Sequence, residues 1–196
     1  EDVDRRVIDV AEKFKLKGKI VIGHIGNHGP RSGLEFLIDF FLGFHQRNKN
    51  SVLLIVGPGT EIEKYKRIYN SEIIIFTGPV RPSDVAVYFK AIDLGVLPFS
   101  DTSFIRNSFP IVFLDYLAAG KPVLTWPFSI FSSEKFKFPN LVIANRKIDD
   151  WVEAVDKALN IRWDPTWDVF ADSFSWDKIA GILEDRLQRP LLSRMP

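Results

Sequence analysis

An α/β domain with a doubly wound parallel sheet of about six strands and helices on both faces is the fold class this sequence predicts. Six short apolar runs, rich in Val and Ile, punctuate the chain at 19–26, 51–58, 72–78, 94–99, 122–126 and 141–145. They are continuous rather than alternating, as expected of strands buried on both faces. Stretches with helical periodicity, of the length usual for crossover helices, lie between them. The chain carries no internal repeat, low-complexity tract or Gly/Ser linker, so residues 1–196 read as one Rossmann-like domain.

The elements follow in order. Val3, Val7, Ile8, Val10 and Ala11 give the opening stretch the pattern of a helix. Because the sequence begins without Met inside that pattern, it is expected to be cut from something longer. KIVIGHIG supplies the first strand and GNHGPRSG (26–33) the loop after it. The next helix is expected from Ser32, which with Glu35 has the spacing of a capping box. Leu34, Leu37, Ile38, Phe41 and Leu42 line one face of it, and its phenylalanines are expected in the core rather than on a membrane.

SVLLIVGP is the second strand and GPGTE its turn, with Thr60 as the cap of a helix. EIIIFTG, the third, is followed by GPVRPSD, where Pro82 sits near a helix start and Ser83 or Asp84 caps it. LGVLPF runs into a long loop, Ser100 to Phe109, and a helix starting near Pro110. PVLTW and LVIAN complete the sheet. The tail from Lys147 to Gln188 reads as two helices joined by RWDPTWDVFADSFSW.

Bulk properties exclude several functions. The 26 Lys and Arg against 25 Asp and Glu leave a formal charge of +1, with no long-range field to attract nucleic acid. An anion site must be local. Zero cysteines exclude disulfides, thiolate zinc sites and cysteine nucleophiles, and fit a reducing, cytoplasmic compartment. No apolar run approaches the roughly 20 residues of a membrane-spanning helix, so membrane association is expected only through a longer protein. His24, His28 and His45 lack metal-ligand spacing, and neither a metal nor a cofactor is expected. There is no GxSxG, GxxxxGK[ST] or complete GxGxxG, which removes the usual hydrolase, NTPase and dehydrogenase signatures.

Ligands of doubly wound sheets bind beyond the carboxyl ends of the strands, so the chemistry is sought in those loops. Gly26, Asn27, Gly29 and Ser32 precede a helix N-terminus whose free N–H groups favour a phosphate, and Arg31 adds a charge. A plain tight turn explains the same glycines equally well. Gly57 and Pro58, then Gly78 and Val80, repeat the pattern after the second and third strands. After the fourth, Arg106, Asn107, Ser108, Pro110 and Ile111 surround another helix start. Asp115 lies about one and a half turns on, in an otherwise apolar helix. It meets a partner such as ribose hydroxyls, or it is an ordinary solvated carboxylate.

IGHIGNHGPRSGLEFLIDFF, LLIVGPGTEIEKY, IIFTGPVRPSDVAVYFKAIDLGVLPF, LDYLAAGKPVL and SFSWDKIAGILEDRL occur in this order. Together they resemble the C-terminal domain of the family-four-type retaining glycosyltransferases, the glycosyl transferases group 1, over essentially the whole chain. The resemblance implies one half of a GT-B fold, and a retaining, metal-independent transfer of sugar from a nucleotide-diphosphate donor held mainly in this half. It implies that the N-terminal acceptor domain is missing here and that the isolated domain is inactive alone.

The family's E-x7-E positions, facing the sugar and the ribose, fall on Asn107 and Asp115. Its phosphate-binding Arg and Lys fall on Asn27 and Ser32. A subgroup reading T-R-x-x-x-P-x-K-x-x-E-Y-L-A-x-G-K-P is similar at Arg106, Pro110, Asp115, Tyr116, Leu117, Gly120, Lys121 and Pro122, with Val112 in place of its Lys. By this likeness Arg31 and Arg106 hold the diphosphate, Asp115 the ribose, and Gly78, Pro79 and Val80 the base. The altered positions also fit a nucleotide-sugar-binding or partner-binding module without catalysis, and the fold fits a sugar-nucleotide epimerase.

Overall fold

The six apolar runs each become a strand of one parallel sheet in the computed structural model, which describes residues 2–128, 131 and 138–192. They are β1 (Ile20–Ile25), β2 (Ser51–Val56), β3 (Ile74–Gly78), β4 (Leu94–Leu97), β5 (Val123–Thr125) and β6 (Leu141–Ile143). The strand order is β3-β2-β1-β4-β5-β6, so the chain starts in the middle, winds one way, crosses over and winds the other. β2 is buried at every residue, which explains the unbroken run of apolar side chains from Val52 to Val56.

Helices cover the sheet: α1 (Asp2–Lys13), α2 (Leu34–Arg47), α3 (Ile62–Tyr69), α4 (Val85–Ala91), α5 (Ser103–Arg106), α6 (Val112–Ala118), α7 (Ile148–Leu159), α8 (Thr166–Asp172) and α9 (Trp176–Leu192). α2 packs on α7, α1 on α4 and α6 on α8. Phe40, Phe41 and Phe44 are buried in the core, as their helix pattern predicts. Trp151 of α7 meets Phe36 and Phe40 edge-on at 4.9 and 5.3 Å between ring centroids.

The structure corrects several boundaries. α2 begins at Leu34, and its cap is Gly33 in the left-handed conformation; the Ser32 hydroxyl donates back to the Gly29 carbonyl at 2.7 Å, so no capping box forms. Glu61, not Thr60, precedes α3, and no side chain caps it. A 3-10 turn, Pro82–Asp84, leads into α4, and Asp84 pairs with Arg6 and Arg81 instead of capping. The loop 100–109 contains the one-turn helix α5, capped by the Thr102 hydroxyl, which accepts from the Ile105 N–H. The helix expected near Pro110 starts at Val112. The aromatic tail segment is itself partly helical: Trp167, Phe170 and Phe174 share the face that α8 and its following turn direct inward.

Candidate functional site

β1 and β4 pair over only two positions, Ile22 with Leu94 and Gly23 with Gly95. Their pairing ends there, at the crossover of the strand order, the place where doubly wound sheets bind their ligands. Two side chains bond to the strands at this point. Tyr116 of α6, fully buried, accepts from the Ile25 N–H at 3.0 Å and donates to the Gly23 carbonyl at 3.3 Å. Its phenol replaces the backbone partner that β4 no longer supplies, and burial pushes the pKa of that phenol up. Gly95 makes the room, since a Cβ there would lie 2.5 Å from the Tyr116 ring. His24 of β1 reaches the Val96 carbonyl with Nδ1 at 3.0 Å. Tyr116→Phe strands a buried N–H, so it should lower the unfolding free energy by about 1–3 kcal/mol in urea titrations; an unchanged midpoint would refute the bridging role.

The glycines of the loops divide into two kinds. At Gly57 and Gly59 a Cβ would lie 2.0 Å from the Gly26 carbonyl and 2.2 Å from that of His28, so these two exist to let the turns after β1 and β2 touch. Gly26, Gly29 and Gly78 have no atom within 4 Å of a Cβ. Of the four glycines the sequence proposes for ligand contact, these three open onto free space at the strand ends, whereas Gly57 is buried and taken up by its contact with Gly26. Asn27 and Pro58 are exposed beside them, and Val80 is half-buried. Ser32, by contrast, is buried and bonded inward.

Both sequence-predicted cations involve α5, one from outside it and one within it. The Arg31 guanidinium lies 4.4 Å over the Phe104 ring, and Arg106 ends the same helix. The Ser100 N–H donates to the Arg31 carbonyl at 3.0 Å, tying the two loops. Arg106 makes a two-pronged pair with Asp101, and those hydrogen bonds hold the Asp101 carboxyl below the usual carboxylate range. Asn107 is exposed, and its amide donates to the Ser103 carbonyl at 2.7 Å; Ser108 donates to Ile105 at 3.2 Å. Both side chains close α5. The Pro110 carbonyl accepts from Phe113, and Ile111 is 66% exposed.

Asp115 projects into a cleft of about 270 Å³ with Val85, Ala86, Phe89 and Lys90 of α4. Desolvation raises its pKa, and its carboxylate has no hydrogen bond among the described residues. A hydroxyl donor placed there would find an acceptor already partly stripped of water.

Arg146, which sequence reasoning missed, stands behind β4. It donates to the carbonyls of Phe99 at 3.1 Å and Pro98 at 3.4 Å and stacks 4.3 Å over Phe36. Trp126 also donates to Phe99, at 2.9 Å, so the exit of β4 is held from two sides. A second cleft, of about 320 Å³, lies beside the glycine loop between Arg146, Glu35, Asp39, Glu61 and Tyr65. Among the described residues no three His, Cys, Asp or Glu gather as metal ligands, and no helix is long and apolar enough to cross a membrane.

A family model described as Glycosyl transferases group 1 matches residues 19–160. The chain belongs to this family. The match bears out the glycosyltransferase family that the sequence resembles. This group 1 glycosyltransferase chain is 28% identical over 162 residues to the putative teichuronic acid biosynthesis glycosyltransferase TuaH of Bacillus subtilis, covering 78% of the chain and 38% of TuaH.

Solved structures share the fold. Sucrose-phosphate synthase from Thermosynechococcus elongatus superposes with a TM-score of 0.68 at 19% identity, over 96% of this chain and 49% of that one. HepE from Anabaena, in complex with UDP, gives 0.66 at 17%, over 95% and 52%. The C-terminal domain of a group 1 family protein, LpcC, from Francisella tularensis gives 0.56 at 16%, over 87% and 89%. The chain thus spans about half the length, or less, of TuaH, the synthase and HepE.

Proposed function

We propose that residues 1–196 are the donor-binding half of a retaining, metal-independent glycosyltransferase. The observation that carries this is the end of the β1/β4 crossover, with Gly26, Gly29 and Gly78 open at the strand ends, Arg31 of the glycine loop stacked on Phe104 of α5, and Arg106 at the end of that helix. Glycines there let a diphosphate approach the backbone, and the cations neutralise the charge that grows on it as the sugar leaves. In the reaction the acceptor hydroxyl forms the new bond to the anomeric carbon as its bond to the diphosphate breaks, and the hydroxyl proton passes to a phosphate oxygen.

Asp115 takes the ribose hydroxyls in this reading, Gly78, Pro79 and Val80 face the base, and Asn107 lies beside the sugar. The main-chain groups of Ser108, Pro110 and Ile111 line the diphosphate. HepE was solved with UDP, and a uridine donor is accordingly the first candidate. The rest of a longer protein supplies the acceptor domain, any membrane contact and the completed active site, and the absence of cysteine supports a cytoplasmic setting.

Thermal shifts with UDP-, GDP- and ADP-sugars test the assignment. One base should stabilise the chain, because a ligand bound only to the folded state raises its stability by mass action. The double variant Arg31→Ala/Arg106→Ala should abolish that shift, and unchanged affinity would reject the two arginines. The second reading, a binding module without catalysis, is favoured by one observation: Asn107 carries no charge and its amide is spent on Ser103. No shift with any sugar nucleotide at millimolar concentration would favour a partner-binding version of it.

A further inference from the structure

His28 is the third residue of the glycine loop and is wholly buried. Its N–H donates to the Pro58 carbonyl at 2.8 Å, its carbonyl accepts from the Glu61 N–H at 3.1 Å, and its ring Nε2 lies 3.0 Å from the Val56 carbonyl. Three bonds therefore fasten it to the β2 side of the crevice. His24, 2% exposed, bonds the Val96 carbonyl on the β4 side. The two rings sit 5.0 Å apart between centroids. A carbonyl only accepts, so each imidazole turns an N–H toward its own carbonyl, and burial keeps both rings neutral. That leaves His24 Nε2 and His28 Nδ1 as buried lone pairs with no partner among the described residues.

We propose that His24 and His28 position the glycine loop as a paired clamp, which holds the loop while both rings are neutral and releases it when either gains a proton. A proton on either free nitrogen would create a buried cation. The charged groups on the surrounding elements are committed elsewhere: Glu61 faces Lys64, Asp101 pairs with Arg106, Arg146 bonds Pro98 and Phe99, and Arg31 covers Phe104. The Tyr116 hydroxyl is bonded to β1. The rings are each other's ionisable neighbours at 5.0 Å, and a like charge there adds to the cost.

Burial holds the His24 pKa down at about 3, and burial lowers that of His28 as well. A released, hydrated histidine titrates near 6.5. The released state therefore binds more protons, so the clamp is fully set above about pH 6.5 and weakens as pH falls below it. Between pH 7.5 and 5.5 the ratio of released to held loop rises about tenfold as His24 takes up its proton on release, and uptake by His28 acts in the same direction.

The consequence for a ligand rests on the nucleotide-sugar reading, and the test separates the two. In ligand-free protein, amide NMR signals of Gly26, Gly29 and Gly33 are followed from pH 7.5 to 5.5. UDP-glucose affinity is measured in parallel, since its diphosphate diester does not titrate in this range. Wild type should show the glycine signals moving and affinity falling at least threefold. His24→Asn with His28→Gln keeps an amide N–H for each carbonyl but cannot take up a proton, and it should flatten both responses. Glycine signals that ignore pH in wild type would overturn the clamp, even if the variants fail to fold. If UDP-glucose does not bind at pH 7.5, the donor reading fails while the glycine signals still decide the clamp.

Discussion

Gly33→Ala should destabilise the domain by roughly 3 kcal/mol, the sum of a left-handed backbone penalty and an overpacked contact. Gly33 has φ +74°, and a Cβ there would fall 2.0 Å from the Pro98 carbonyl oxygen. That neighbour is backbone at the exit of β4, pinned by Arg146, so it has little freedom to retreat. Equilibrium urea denaturation measures the loss, and a cost under about 1 kcal/mol would contradict the packing described. Gly29→Ala is the matched control. With nothing within 4 Å of its Cβ it should change stability by less than about 0.5 kcal/mol, and its effect should appear in sugar-nucleotide affinity instead.

Trp151→Ala should cost about 3–5 kcal/mol, the usual range for emptying a fully buried indole. Phe36 and Phe40 would face the cavity and α2 would lose its main contact with α7. Trp151→Phe should cost far less. The Trp151 Nε1–H is buried with no partner among the described residues, so its removal lifts a desolvation penalty that offsets part of the lost volume. If the two variants fall by equal amounts in chemical denaturation, ring packing against Phe36 and Phe40 is not what Trp151 contributes.

The sheet was legible in the sequence because strands buried on both faces leave no choice of residue type. The run 52–56 had to be apolar throughout, and it reads as such. Helix starts were less legible. Ser32 and Glu35 have the spacing of a capping box, but the loop is set by the contact of Gly33 with Pro98, a residue 65 positions away, and no local pattern encodes that. α8 escaped notice because its aromatic residues look like loop composition; Trp167, Phe170 and Phe174 at helical spacing were the missed signal.

The candidate site follows the same division. Open glycines and the arginines of the loops could be named from the sequence, since they lie at strand ends. Their attachment could not. Arg106 is engaged with Asp101, so a diphosphate has to replace a carboxylate to reach it, and nothing in the motif announces that. His24 and His28 are four residues apart and were read as separate. They meet because the chain turns at Gly26, whose φ of +152° few other residues adopt.

Tyr116 gives the crevice floor a mechanical property. It is next in sequence to Asp115, and its hydroxyl is attached to β1 at both Ile25 and Gly23. Tension that a ligand exerts on α6 is therefore carried straight into the central strand, with no joint between them. α6 and the central strand therefore answer a load as one body, and removing the hydroxyl would let them respond separately.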